Sequence, residues 1–238
     1  MVCKKCVLIT GASSGIGRVT AEYLNSVGYQ VVLVARNREK LEFVAKGLSD
    51  DTVVVPYDLQ DLAGIEQIFV ACKEKGIVLY GMAHCAGINR DQPVKTNNLQ
   101  DMEAVMNTNL LSFIEMGKYF SKKKYSCDGG GIVGISSTAA LGGAKGMCTY
   151  TASKAGLDAA VRVMSKEFAK RKIRVNSIQP SWVNTDMARS TNDFEIKALA
   201  QPLGVIDPVH IAYLIEFLLS DKALYISGSN LKVSGACM

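Results

Sequence analysis

The sequence predicts an α/β fold: a doubly wound, seven-stranded, mostly parallel sheet with helices on both faces, formed as a single domain over residues 1–238. Three observations predict it. Short apolar runs such as Val31-Val32-Leu33-Val34 are continuous rather than alternating, which marks strands buried on both faces. These runs alternate with segments of helical periodicity across short connections, the order that right-handed strand–helix–strand units require. The first run also passes straight into a glycine loop that opens a helix.

The first strand falls at residues 5–10 and is followed by Gly11-Ala12-Ser13-Ser14-Gly15-Ile16-Gly17 and a helix over 16–27. Glycines in this position permit a tight turn and let backbone N–H groups approach a pyrophosphate at the helix N-terminus, where the dipole favours anions. That context makes the fold Rossmann-type. The second strand, 30–35, delivers Arg36 at its carboxyl end. Dinucleotide folds that select NAD carry a carboxylate near here to hold the ribose hydroxyls. An arginine pairs instead with a 2′-phosphate, so NADP(H) is the expected coenzyme and NAD(H) the less favoured one.

A helix over 38–48, a third strand over 52–56 followed by Asp58-Leu59, a helix over 62–75 and a fourth strand over 77–83 continue the alternation. His84-Cys85-Ala86-Gly87 ends that strand. A long amphipathic helix, 99–120, carries Asn107 and Asn109 in its middle, where a buried amide would need partners. The basic loop 121–130 leads to a fifth strand, 131–135, whose carboxyl end delivers Ser136 and Ser137. A helix from Tyr150 to about 170, a sixth strand over 173–178, a helix over 208–219 and a closing strand over 229–233 complete the order. The small residues Ala152, Ala155, Gly156, Ala159 and Ala160 leave the helix after Tyr150 open to close approach by another helix, as across a subunit interface.

Candidate chemistry lies between Ser137 and Lys154. If Tyr150 opens a helix, Lys154 stands one turn on along the same face. An adjacent ammonium favours the phenolate and brings the hydroxyl closer to proton exchange at neutral pH. A Tyr-x-x-x-Lys pair alone is a common helix start, and its neighbours decide its meaning.

Composition bounds the alternatives. With 27 basic and 22 acidic residues the net charge is +5, an ordinary basic surface. The clusters Lys122-Lys123-Lys124 and 166–174 carry no recognisable nucleic-acid reading motif, which argues against nucleic-acid binding and leaves an acidic partner protein as a candidate guest at Lys122 to Lys124 and Arg171. Seven unevenly spaced cysteines suit reduced thiols in a cytoplasm. Cys3 and Cys6 point to opposite faces of a strand, so no metal site is expected, and no segment approaches membrane-spanning length.

Thr10-Gly11-x-x-x-Gly15-x-Gly17, a serine thirteen residues before Tyr150-x-x-x-Lys154, and the strand–helix order together resemble the short-chain dehydrogenase/reductase family over essentially the whole chain. The closing 226–235 segment and the modest loop after Thr185 look most like its 3-oxoacyl-acyl-carrier-protein reductases. The resemblance implies a reductase passing hydride between nicotinamide and a carbonyl or secondary alcohol. Tyr150 would be the proton donor, Lys154 the group that tunes it and holds the nicotinamide ribose, Ser137 the substrate-oxygen ligand, and Asn109 a support for a proton-relay water. Gly11, Ser13, Ser14, Gly15, Ile16, Gly17, Arg36, Asp58, Leu59, Ala86, Gly87, Pro180, Val183 and Thr185 would line the coenzyme with Tyr150 and Lys154, and the substrate loop would lie at about 186–204. It further implies a cytoplasmic homo-oligomer, tetramer or dimer, taking a small-molecule or carrier-linked substrate. A sugar, steroid or other small alcohol or ketone is an alternative substrate, and a non-catalytic nucleotide-binding regulator an alternative of another class. Three departures stand out: His84-Cys85 replaces two asparagines common in the family, Ser181 follows Pro180 where glycine is usual, and neutral Ser14 leaves Arg36 as the principal phosphate selector.

Overall fold

The computed structural model describes residues 4–190, 194 and 200–237. Strands β1 (Cys6–Thr10), β2 (Gln30–Ala35), β3 (Val53–Pro56), β4 (Leu79–His84), β5 (Ser126–Ile135), β6 (Arg174–Pro180) and β7 (Asn230–Val233) form one sheet in the order β3-β2-β1-β4-β5-β6-β7. Every pairing is parallel, so the sheet is parallel throughout rather than mostly so. The strand order reverses between β1 and β4, which opens a crevice at their carboxyl ends.

Alternate residues of each strand feed two separate cores. Leu8, Val32 and Met82 pack with Phe69 of α3 (Glu66–Glu74), with Phe113 and Met116 of α5 (Ser112–Phe120) and with Leu157 and Val161 of α6 (Cys148–Glu167). Val7, Ile9, Val31 and Leu33 face the other way, against Leu24 of α1 (Gly15–Ser26), Leu41 of α2 (Arg38–Ala45) and Ile211 and Ile215 of the last helix, Pro208–Leu219. Both sheet faces are therefore covered, as the continuous apolar strands require.

Three elements differ most from the sequence expectation. β5 begins at Ser126, inside the segment expected to be a loop, and its pairing with β4 shifts register between Leu79 and Gly81. Glycine permits this, because a Cβ at Gly130 would fall 2.2 Å from the Tyr80 carbonyl oxygen. The helix over 62–75 starts only at Glu66, since the Tyr57 hydroxyl bonds the Asp61 carbonyl at 2.7 Å and holds the preceding residues in a turn. The long helix over 99–120 divides into α4 (Leu99–Met106), a π-helical turn over Asn107–Leu111, and α5. Wide turns of this kind re-aim side chains, and this one contains Asn109.

Candidate active site

The carboxyl ends of β1, β4 and β5 meet at one place. Gly11 has φ of 65°, and a Cβ there would lie 2.9 Å from the Ala86 amide nitrogen, so only glycine lets the β1 loop lie against the end of β4. The Thr10 hydroxyl accepts from that same amide at 3.0 Å. A Cβ at Gly17 would sit 2.4 Å from the Gly11 carbonyl oxygen, so α1 starts flush on the loop. Ser14 caps α1 in extended conformation without a side-chain bond to the first turn. The amides of Gly15, Ile16 and Gly17 thus form a cradle of the kind that takes a pyrophosphate. Ser13, Ser14, Gly15 and Thr185 line one open groove along it.

Around the crevice lie the other expected coenzyme residues. Arg36 is exposed just past β2 and forms no ion pair among the described residues. Asp58 is exposed and accepts from the Gln60 amide at 3.0 Å. Leu59 is buried in the core. Pro180 and Val183 are buried at the end of β6, and Val183 bridges Ile206. Thr185 caps a short turn by accepting from the Ala188 amide at 3.3 Å. Ser181 donates its N–H to the Val233 carbonyl at 2.9 Å. It is not among the residues of positive φ, so serine is accommodated there without backbone strain.

Ser137 follows β5 and accepts from the Ala139 amide at 3.1 Å, which fixes its side chain at the start of a 3-10 turn. Tyr150 lies in the first turn of α6, which begins two residues earlier than expected. Lys154 is 3% exposed and donates from Nζ to the Ile135 carbonyl at 2.7 Å, 5.7 Å from the Tyr150 ring centre. Asn109 is fully buried and uses its amide on backbone: Oδ1 accepts from the Ile88 N–H at 2.8 Å, and Nδ2 donates to the Ile88 carbonyl at 2.9 Å and to Ser153 Oγ at 3.0 Å. A Cβ at Gly87 would meet Lys154 Nζ at 3.2 Å and Asn109 Oδ1 at 3.5 Å, so Gly87 keeps the floor of this site open. Asn109, Ser137, Tyr150 and Lys154 lie near one another around Gly87 and the end of β5. Asn107 is not part of that cluster; it opens the π turn.

Electrostatics corrects one expectation. Burial raises the Tyr150 phenol above its ordinary value; hydrogen bonding with Ser137 opposes that rise, and the Asp91 carboxylate adds to it. The expected lowering by Lys154 is not realised here, because the ammonium is turned onto the Ile135 carbonyl. Burial pushes Lys154 itself down to about 8, against the field of Asp158 above all. The Cys85 thiol is pushed up to about 12 by burial and stays neutral.

His84 does not face the crevice as a donor. Its Nε2 lies 3.0 Å from Ser112 Oγ, and Ser112 gives its own proton to the Thr108 carbonyl at 2.7 Å. The ring must then donate from Nε2, leaving Nδ1 as a buried lone pair without a partner among the described residues. His84 thus braces β4 against α5. Sequence reasoning missed Ser153, which accepts from Asn109 and donates to the Tyr150 carbonyl at 2.7 Å. Its position three residues after Tyr150 was the available signal.

The basic cluster lies elsewhere. Lys122 and Lys124 approach Glu66 at 3.7 and 3.0 Å, and Arg171 pairs with Asp128 at 2.8 Å. These groups sit at the amino end of β5, at the opposite end of the strand from Ser137.

A glycine cradle at the reversal point of a parallel sheet, with two hydroxyls and a buried ammonium beside it, defines an oxidoreductase of the nicotinamide-using class. A family model described as enoyl-(acyl carrier protein) reductase matches residues 11–236. The chain belongs to the short-chain dehydrogenase/reductase family. It is 32% identical to the 3-oxoacyl-[acyl-carrier-protein] reductase FabG of Rickettsia prowazekii, over 98% of this chain and 97% of that protein. It is 33% identical to the human 3-oxoacyl-[acyl-carrier-protein] reductase and to carbonyl reductase family member 4 of Danio rerio, in each case over 97% of both chains.

Proposed function

We propose that this chain is an NADP(H)-dependent carbonyl reductase that reduces a 3-oxoacyl thioester. The observation that carries the reading is the convergence of Ser137, Tyr150 and Lys154 at the carboxyl end of β5, beside the glycine cradle. The names of the relatives support the substrate class.

Gly11, Ser13, Ser14, Gly15, Ile16 and Gly17 would hold the pyrophosphate through backbone N–H groups. Arg36 would take the 2′-phosphate, Asp58 and the Leu59 backbone the adenine side, and Ala86, Gly87, Pro180, Val183 and Thr185 the path to the nicotinamide. The close approaches at Gly11, Gly17 and Gly87 suit such a group, because any side chain there would fill the space. The bound nicotinamide supplies the hydride. Ser137 orients the substrate oxygen, and Tyr150 donates its hydroxyl proton to that oxygen as negative charge develops on it. Burial keeps that proton on the phenol until the substrate oxygen takes it, and buried Lys154 would hold the nicotinamide ribose. Asn109 holds the Ile88 loop against α6 and so keeps the wall of the site, and any relay water, in place.

In assembly, the reading is a homo-oligomer in the cytoplasm. Ala152 and Ala159 are exposed on α6 near the exposed apolar residues Leu111, Ile114 and Val163, a face suited to a second copy, whereas the space at Gly156 is filled by Leu110 of the same chain. A monomeric mass by light scattering would contradict this part. Among the described residues no helix is long and apolar enough to cross a membrane. A carrier on the Lys122–Arg171 face would stand a strand's length from Ser137 of its own subunit, so a carrier serving that site is expected at the mouth near Tyr150. The test is a turnover screen with NADPH and NADH against 3-oxoacyl and enoyl thioesters, sugars and simple ketones. NADPH oxidation highest with the 3-oxoacyl thioester is expected; absence of turnover with every member would overturn the enzymatic reading.

A further inference from the structure

Lys154 is a buried cation, and its surroundings hold a feature that the Ser137–Tyr150–Lys154 set does not use. One helical turn further along α6, on the same face, is Asp158, only 4% exposed. Its Oδ1 accepts from Ser177 Oγ at 2.6 Å and from Asn230 Nδ2 at 3.3 Å, and its Oδ2 accepts from Gln179 Nε2 at 2.7 Å. Side chains of β6 and β7 therefore hold this carboxylate in the same buried region as the Lys154 ammonium, which itself bonds the Ile135 carbonyl at 2.7 Å.

We propose that Asp158 is a positioning residue for the site: its buried carboxylate supplies the counter-charge that keeps the Lys154 ammonium charged beside Tyr150. The inference rests on the reading of Lys154 as a coenzyme-holding group. A buried ammonium without a nearby anion sheds its proton readily, since desolvation penalises the charged form. The groups facing Lys154 are few. From the end of β4 come the Cys85 thiol, pushed up to about 12, and the His84 ring, pushed down to about 3, and both are neutral near pH 7. From α6 comes the Tyr150 phenol, raised by burial, and Asn109 and Gly87 bring no charge. The Asp91 carboxylate acts on Tyr150 from the loop after β4. Among the described residues, the strongest field opposing the desolvation of Lys154 is that of Asp158. With it, Lys154 holds its proton up to about 8; without it, desolvation acts nearly alone and the proton is lost at lower pH.

The experiment is a fluorescence titration of the full chain with NADPH between about pH 6.5 and 10, a window that spans the Lys154 transition. Wild type is compared with Asp158→Asn, with Asp158→Leu as a second neutral variant should the first fold poorly, and with Ser177→Ala. The serine variant disturbs the same hydrogen-bond network and leaves the charge. Wild-type affinity is expected to fall above about 8. In the neutral Asp158 variants the fall should come about one pH unit lower, and in Ser177→Ala at the wild-type midpoint. Unmoved midpoints in both Asp158 variants, or an equal shift in Ser177→Ala, would overturn the proposal. So would a wild-type affinity that is flat across the range. Failure of every ketone in the turnover screen, with the binding profiles as expected, would sink the reductase reading and leave this inference standing.

Discussion

Replacing His84 by Asn should remove an acid sensitivity that the wild-type fold carries. His84 is wholly buried, with its ring bonded to Ser112 on one side and no partner on the other among the described residues. Burial, with the Lys154 charge adding to it, lowers the imidazole from 6.5 to about 3. Between those values the unfolded chain binds a proton at this residue and the folded chain does not. Stability from this group is therefore full above 6.5 and is lost as pH falls from 6.5 towards 3. The whole span of about 3.5 pH units corresponds to about 5 kcal/mol, and the part lost between pH 7.5 and pH 5 to about 2 kcal/mol. For a domain of this size that is about 4–8 °C in melting temperature. Calorimetry of wild type and His84→Asn at both pH values isolates the effect, because the cost of the substitution itself cancels in the difference between them. A wild-type loss on acidification about 4–8 °C greater than that of the variant is expected. Equal losses would refute the claim that His84 is folded in as a neutral group.

Three further outcomes follow from the geometry. Arg36→Asp should weaken NADPH by about 10- to 100-fold and turn preference towards NADH, read from binding constants for both coenzymes, because a charge-assisted pair is replaced by repulsion. Gly17→Ala should abolish coenzyme binding and lower the melting temperature, since its Cβ would lie 2.4 Å from the Gly11 carbonyl oxygen and backbone must move to admit it. Asn109→Ala should destabilise the fold by about 2–3 kcal/mol in urea titration, as it strands both backbone groups of Ile88 and removes the bond to Ser153.

The sheet and its site were legible because both are written in local patterns. Continuous runs such as Val31–Val34 announce burial on both faces, and the glycines at 11 and 17 mark the places where backbone meets backbone. What escaped depends on contacts remote in sequence. The π turn at Asn107–Leu111 has the same apolar periodicity as an unbroken helix, so nothing local announces it. The early part of β5 reads as a loop from its glycines, and only Tyr80 across the sheet explains why Gly130 is there. The expected lowering of the Tyr150 phenol by Lys154 failed for a similar reason: the four-residue step gives proximity, but the Ile135 carbonyl decides where the ammonium points. His84 could be seen to depart from the family's asparagine, yet its partner Ser112 lies 28 residues away.

The central claim is that Tyr150 gives a proton to the substrate oxygen. Tyr150→Phe keeps the ring and removes only the hydroxyl, so coenzyme binding, followed by fluorescence, should be preserved while NADPH-dependent reduction of the best ketone found in the screen falls by at least about 100-fold. Turnover within a few-fold of wild type in that variant would contradict the account.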